Sequence, residues 1–259
     1  MILARWYAEH GRHDLPWRLT RDRWAVLVSE VMLHQTQVPR VAAVFDAFLA
    51  RFPAPDAMAA AGPGAVIEAW GRLGYPRRAR RLYDASVVIA RDGWPPDLAT
   101  LPGVGRYTAA AVVAQADDRD VPAIEVNVRR VVERVSGARL TDREAEAASL
   151  RVGRPLRGRD RLLALMDVGA VVCRPRVPRC GECPLRRRCA ARGPLPGERR
   201  TRQAPFAGSF RQRRGAVMAR LRGGSASVPV AELDAEALAS LVDDGLAVVV
   251  RGRAGLPSA

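Results

Sequence analysis

All four cysteines of the 259-residue chain fall within one short segment, as Cys173, Cys180, Cys183 and Cys189. Crowding of this kind favours metal binding over disulfides, because the cytosol keeps thiols reduced. Four thiolates can hold either a zinc ion or an iron–sulfur cluster, and the C-x6-C-x2-C-x5-C spacing alone does not separate the two. Either metal would make rigid a basic loop that carries Arg174, Arg176 and Arg179.

Two carboxyl groups stand in apolar segments of helical periodicity. Glu30 lies within WAVLVSEVMLHQTQV, and Glu125 lies near the start of AIEVNVRRVVERV, two residues before Asn127. A carboxyl among apolar groups has a raised pKa and can donate a proton, although a solvent-facing glutamate is the alternative for Glu30. Paired with a means of holding DNA, two such carboxyls suggest cleavage of a glycosidic bond.

The segment LPGVGRYTAAAV places Gly103 and Gly105 in a tight turn before an alanine-rich helix. Glycines let backbone N–H groups approach a phosphate, and a helix N-terminus adds favourable partial charge. This is a helix-hairpin-helix signature, which predicts contact with the DNA backbone. A plain glycine-rich turn between packed helices is the alternative.

The net charge of +15 and the pI near 11.2 indicate a polyanionic partner. All 42 basic residues are arginine, so the placement of charge is more informative than its total. Thirteen arginines fall between Arg174 and Arg214. This stretch is the best candidate for a phosphate-facing surface, with a solvated basic linker as the alternative for its second half.

The elements that must position these residues are predicted to be helices in the first 190 residues. Amphipathic stripes at i, i+3, i+4, i+7 spacing are formed by Trp24, Leu27, Val28 and Val31, and by Val128, Val131, Val132 and Val135. An all-α, two-lobed architecture follows. Beyond a Pro- and Gly-containing linker, residues 211–222 and 230–244 are predicted to be helical and 247–251 to form a short strand.

Taken together, DLPWR, SEVMLHQTQV, LGYPRRARRL, LPGVGRYTAAAV, NVRRV, LMDVGAVVC and the cysteine spacing resemble MutY-type adenine DNA glycosylases of the helix-hairpin-helix, endonuclease III-like superfamily. The motifs occur in the family's order over roughly residues 5–190. The resemblance implies removal of adenine paired with 8-oxoguanine or guanine. It also implies that the four cysteines hold a [4Fe-4S] cluster.

The resemblance assigns roles residue by residue. Glu30 matches the general acid that protonates adenine N7, and Tyr107 and Asn127 match supporting polar groups. Glu125 falls where the family has an aspartate that stabilises the sugar cation. The residues implied to wedge into the duplex and contact the opposing base are Gln35, Thr36, Leu73 and Tyr75.

The chain also departs from the family pattern. Glu125 is one methylene longer than aspartate, His34 replaces a glutamine, and Leu163 stands where a glutamine or glutamate usually faces adenine. Only some fifty residues stand where many relatives have a NUDIX-like domain. Alternatives are therefore a glycosylase for thymine or uracil opposite guanine, and a catalytically silent DNA-binding paralogue. A bifunctional lyase is disfavoured, because the chain has no lysine to form a Schiff base.

The implied organisation has four parts: a six-helix lobe with the hairpin (21–115), a cluster lobe (1–20 and 116–192), a linker (193–208) and a small, winged-helix-like C-terminal module (209–259). No apolar run is long enough to cross a membrane, and Met1 to Arg12 does not resemble a signal peptide. We therefore expect a cytoplasmic, nucleoid-associated monomer that binds mismatched or oxidised double-stranded DNA.

Overall fold

The computed structural model describes residues 2–198, 204–223 and 227–258. The α-helices in these ranges are α1 (Ile2–His10), α2 (Arg23–Leu33), α3 (Val38–Arg51), α4 (Pro55–Trp70), α5 (Arg77–Asp92), α6 (Arg106–Ala116), α7 (Val126–Ser136), α8 (Asp142–Val152), α9 (Gly158–Asp167), α10 (Phe210–Arg222) and α11 (Ala235–Asp243). The strands are β1 (Val228–Pro229), β2 (Val248–Val250) and β3 (Arg253–Gly255). No strand precedes β1 in the described residues, which confirms the predicted helical character of the first 190.

The chain divides into two compact units. Unit 1 contains Met1–Glu30 and Val104–Arg200, and unit 2 contains Val31–Gly103 and Thr201–Ala259. The predicted lobe boundaries, after residues 20 and 115, differ from these because α6 packs against α9 and so belongs with the later helices. The predicted linker at 193–208 lies partly outside the described residues, since 199–203 are not among them.

The core of unit 1 is formed by residues of α1 and α6 to α9. The predicted valine stripe of α7 lies in it: Val128, Val131 and Val132 are buried, and Val135 packs against them. Local signals set the helix ends, because Thr141 and Glu144 form a capping box at the start of α8 and Gly137 ends α7 in the left-handed conformation (φ 79°).

A buried carboxylate at the end of α9 ties the N-terminal segment to the core of unit 1. Arg18 donates from Nη1 and Nη2 to the two oxygens of Asp167 at 2.7 and 2.9 Å, and Arg12 donates from Nε at 2.7 Å. Burial would raise the pKa of Asp167, but Arg18 and Arg12 outweigh it and hold the pKa below its usual value. Asp167 is therefore charged and paired.

We expect Asp167→Asn to lower the free energy of unfolding by about 3–5 kcal/mol, because the change leaves the almost buried Arg18 cation without its partner. Urea unfolding at neutral pH measures this. The difference should shrink as pH falls through the lowered pKa of folded Asp167, since protonation then removes the same charge from the parent. The control is Asp142→Asn: Asp142 is exposed and pairs with Arg129, so this change should alter the free energy of unfolding little. Equal stabilities would contradict a structural role for Asp167.

In unit 2, α4 and α5 pack against each other. The C-terminal module contacts both helices: Arg80 of α5 donates from Nη1 to Gly245 O at 2.9 Å, and Pro257 lies against Gly64 of α4. Its strands form an antiparallel sheet in the order β1-β3-β2. The predicted helix at 211–222 matches α10, and the strand at 247–251 matches β2; the segment 230–244 contains a 3-10 turn before α11. This pattern is consistent with the expected winged-helix-like module. No helix of the described residues could span a membrane.

Candidate active site

Glu30 lies on α2 with only 3% of its surface exposed, which excludes the solvent-facing alternative. Gln115 of α6 donates from Nε2 to Glu30 Oε1 at 2.7 Å, and the Tyr107 hydroxyl also hydrogen-bonds to this carboxyl. Burial raises the pKa of Glu30, and the nearby charge of Glu125 raises it further. The site can therefore hold a proton on Glu30 under conditions in which an exposed glutamate has lost it.

Tyr107 lies at the start of α6, directly after the hairpin glycines. Burial first, and then the charges of Glu30 and Glu125, raise its pKa well above the usual value of 10. The phenol consequently keeps its proton and can donate a hydrogen bond to the Glu30 carboxyl. The hairpin thus has a second role in the site, because it sets where α6 and its first turn begin.

Glu125 is the N-cap of α7 and is held at both oxygens. Its Oε1 accepts from the backbone N–H of Val128 at 2.8 Å, and its Oε2 accepts from Asn127 Nδ2 at 3.0 Å. Burial raises the pKa of Glu125, while these hydrogen bonds and the charge of Arg130 favour the ionised form. Since Glu125 and Glu30 also interact electrostatically, the structure brings the two predicted carboxyls together.

Arg130 links this carboxylate to the segment that enters the cysteine loop. Its Nη2 donates to Asn127 Oδ1 and to Gly169 O, both at 2.6 Å, and its Nε donates to Cys173 O at 2.6 Å. Gly169 is required here, since a Cβ at this position would lie 2.6 Å from the Asn127 Cβ. Sequence reasoning missed Arg130, because an arginine in NVRRV gives no sign of its long-range partners.

The four cysteines are half-buried free thiols near one another: Cys183 interacts electrostatically with Cys173, Cys180 and Cys189. Burial raises the pKa of Cys183 to about 11, so a bound metal would have to supply the charge that removes its proton. Buried Arg134 donates to Cys173 Sγ at 3.5 Å, a contact suited to a coordinated thiolate.

This arrangement bears on which metal the thiols fit. No group of three His, Cys, Asp or Glu side chains in the described residues is placed to hold a single metal ion. A zinc ion would require four sulfurs about 2.3 Å from one centre, whereas an iron–sulfur cluster spreads its thiolates around a larger core. Four neighbouring cysteine thiols are the donor set of an iron–sulfur cluster and equally that of a structural zinc site.

A second group of predicted residues meets within unit 2. Gln35 (φ 57°) and Tyr75 (φ 48°) both adopt the left-handed conformation, which is uncommon for residues other than glycine. Gln35 is exposed and Tyr75 is 40% exposed. The Thr36 hydroxyl lies 3.4 Å from the Leu73 carbonyl oxygen, which joins the two turns. Leu73 differs from the expectation of a wedge, since its side chain is buried.

The two glycines of the predicted hairpin, Gly103 and Gly105, are both exposed. Gly103 adopts φ 74° and would place a Cβ 2.6 Å from the Arg81 Cβ, so a larger residue is excluded. Gly105 precedes α6, and no described side chain caps that helix end. Of the predicted phosphate contacts, Arg174, Arg176 and Arg179 are all exposed.

Two residues at which the chain departs from the family pattern, Leu163 and His34, are both at least partly buried. Leu163 is buried in the core of unit 1. His34 is half-buried, and burial together with Arg78 lowers its pKa. Sequence reasoning overlooked Gln115, although it is the one polar residue in 109–116 and follows Tyr107 at an i, i+8 spacing that belongs to one helix stripe.

Comparison with known proteins identifies the family of this chain. A model of the HhH-GPD superfamily of base excision DNA repair proteins matches residues 28–155. The adenine DNA glycosylase of Mycolicibacterium smegmatis is 44% identical, over 94% of this chain and 90% of that protein. The chain belongs to the adenine DNA glycosylase family. The human adenine DNA glycosylase is 35% identical, over 80% of this chain and 42% of the human protein.

Solved structures agree on the fold. A thermostable thymine-DNA glycosylase matches with a TM-score of 0.67 and 27% identity, over 74% of this chain and 93% of that one. An endonuclease III–DNA complex matches with a TM-score of 0.62 and 22% identity, over 73% and 91% of the two chains. The predicted family and helix-hairpin-helix fold are thus confirmed.

Proposed function

We propose that this protein is a monofunctional adenine DNA glycosylase, which hydrolyses the N-glycosidic bond of adenine mispaired with 8-oxoguanine or guanine. The observation that carries the proposal is the buried Glu30, held by Gln115 and Tyr107 and close enough to Glu125 for their charges to interact. Relatives that are 44% and 42% identical to this chain are adenine DNA glycosylases, which supports adenine as the base.

In the first step, Glu30 donates its proton to N7 of the departing adenine. Protonation turns the base into a better leaving group, and the raised pKa of Glu30 keeps the proton available. Gln115 and Tyr107 hydrogen-bond to the carboxyl and fix its orientation, so that its O–H group keeps one direction.

As the bond breaks, the sugar becomes cationic and the ionised Glu125 stabilises it. Asn127 and the Val128 N–H hold both carboxylate oxygens, so little reorganisation is needed when charge develops. Water then completes hydrolysis to an abasic site.

Duplex DNA is held through its backbone by the hairpin at Gly103 and Gly105 and by the arginines of the cysteine loop. Gln35, Thr36 and Tyr75 enter the base stack. The target adenine is extruded at a cost of a few kcal/mol, which is lowest for a mismatched base. We expect the protein to act as a monomer on double-stranded DNA.

Base release from end-labelled duplexes under single-turnover conditions tests this function. We expect adenine release opposite 8-oxoguanine and guanine but not opposite thymine, and strand breaks only after alkali, since no lysine can open the sugar. Thymine or uracil release opposite guanine without adenine release would overturn the substrate assignment; apolar Leu163 makes that panel necessary. Spontaneous strand scission would overturn the monofunctional assignment.

We also propose that Cys173, Cys180, Cys183 and Cys189 hold a [4Fe-4S] cluster, which when bound keeps the arginine-bearing loop rigid. Protein purified without oxygen should be brown, absorb broadly near ~400 nm, and contain about four irons per chain. Metal analysis and the visible spectrum measure this. Cys183→Ser should lose the colour, whereas exposed Arg187→Ser in the same loop should keep it. Stoichiometric zinc without iron would refute the cluster.

A further inference from the structure

Arg78, on the first turn of α5, contacts the end of α2 and the two left-handed turns at Gln35 and Tyr75. Its Nη1 donates to Val31 O at 2.7 Å and to Met32 O at 2.8 Å. These are carbonyls in the last turn of α2, which lack partners within the helix. They also directly follow Glu30 in the chain.

The other nitrogen of the same guanidinium reaches the two turns. Arg78 Nη2 donates to Thr36 Oγ1 at 2.9 Å and to Gly74 O at 3.1 Å. Thr36 follows Gln35, and Gly74 precedes Tyr75; Gln35 and Tyr75 both have left-handed backbones. A residue held in that conformation costs roughly 1–3 kcal/mol and persists only when its surroundings fix it. Arg78 supplies such fixation to both turns.

Aromatic rings enclose the guanidinium. Its carbon lies 5.2 Å from the centre of the Trp70 ring and 5.5 Å from that of Tyr75. Trp70 Nε1 also donates to Gly74 O at 3.0 Å, so the carbonyl before Tyr75 is held twice. Burial lowers the pKa of Arg78 only to about 10, and the cation therefore persists at neutral pH.

We infer that Arg78 is a positioning residue, which fixes the Gln35 and Tyr75 turns against the last turn of α2, so that the side chains that enter the base stack keep one geometry. The inference rests on the proposed function, in which those turns enter the duplex. It adds a residue that touches neither the base nor the sugar.

Two substrates separate positioning from general stability. We expect Arg78→Met to slow adenine release from a fully paired duplex on the order of a hundredfold, because the turns that must open the stack lose their fixed geometry. Release of adenine from an unpaired bubble, where opening is already done, should fall far less. Arg78→Lys should behave like Arg78→Met, since a single ammonium cannot reach the carbonyls of α2 and both turns together.

Arg91→Met is the matched control, because Arg91 lies on the same helix, is mostly exposed and pairs with its neighbour Asp92. It should leave both rates unchanged. The melting temperature and the visible absorption of each variant show whether the fold persists. Equal slowing on paired and bubble substrates, or no slowing on either, overturns the inference.

A fluorescence measurement keeps the test independent of catalysis. 2-Aminopurine placed beside the mismatch brightens when the stack is opened, and we expect the parent to produce this increase and Arg78→Met to lose most of it. Absence of adenine release by the parent counts against the proposed function alone, since the fluorescence comparison still decides the role of Arg78. Equal brightening by parent and variant overturns the role.

Discussion

Glu30→Gln should reduce single-turnover adenine release from an adenine·8-oxoguanine duplex by on the order of a thousandfold or more. Glutamine fills the same space and can still accept the 2.7 Å hydrogen bond from Gln115, but it has no proton to give to N7. The loss should therefore appear in the rate of the chemical step and leave affinity for DNA nearly unchanged. Quenched-flow release and a binding titration measure the two separately.

The matched control is Glu9→Gln, which removes a carboxylate from the exposed face of α1 in the same unit. It should release adenine at the parental rate. If Glu30→Gln also keeps the parental rate while its melting temperature is unchanged, Glu30 is not the acid, and protonation must come from another group or from solvent.

The pH profile of the parent follows from the same two carboxyls. Glu30 acts in its protonated form, so the rate falls as pH rises through its raised pKa. Glu125 acts in its ionised form, so the rate falls as pH drops through its own raised pKa. The result is a bell whose two limbs both lie above the range of exposed glutamates. A flat profile across that range would contradict these roles.

Glu125→Gln should reduce adenine release by about a hundredfold to a thousandfold, since the sugar cation loses the negative charge beside it. The glutamine side chain would also place an N–H donor against the Nδ2 donor of Asn127. Asn127 cannot accept from it without losing a bond, because its Oδ1 already accepts from Arg130. Glu125→Asp should be equal to the parent or faster, because aspartate keeps the charge and is a good N-cap. Single-turnover rates of the two variants decide this.

Loss of the helix cap needs its own control. Asp234 is the N-cap of α11 and accepts from the Ala237 N–H, so Asp234→Asn changes a capping charge in the C-terminal module and should leave release intact. Parental activity in Glu125→Gln would mean that Glu125 is only a cap, and that another group stabilises the sugar cation.

Much of the fold could be predicted from the sequence because its signals are local. The valine stripe of α7 and the helix of the C-terminal module follow from periodicity that neighbouring residues set. The strands β1 and β3 were not predicted, because two or three residues including Pro229 or Gly255 carry no alternation and depend on their pairing. The boundary predicted after residue 115 lies after residue 103 in the structure, because α6 packs on α9 and neither helix sequence alone reveals that contact.

The sequence by itself determined the chemistry that is available. The cysteine spacing, the hairpin glycines and two carboxyls in apolar segments each depend on residues close together in the chain, and short-range geometry makes their meaning readable. The sequence left open which groups hydrogen-bond to those carboxyls. It also assigned Leu73 to the duplex, although the fold buries that side chain.

Only the tertiary structure decided the partners. Gln115 reaches Glu30 across 85 positions of sequence, Arg130 reaches Cys173 across 43, and Arg78 reaches Val31 across 47. Hydrogen bonds act over about 3 Å, so the sequence does not reveal which residues will form them when the two partners lie so far apart in the chain. Chain folding alone brings such groups within that distance, and burial then raises the pKa of Glu30 enough to make it an acid.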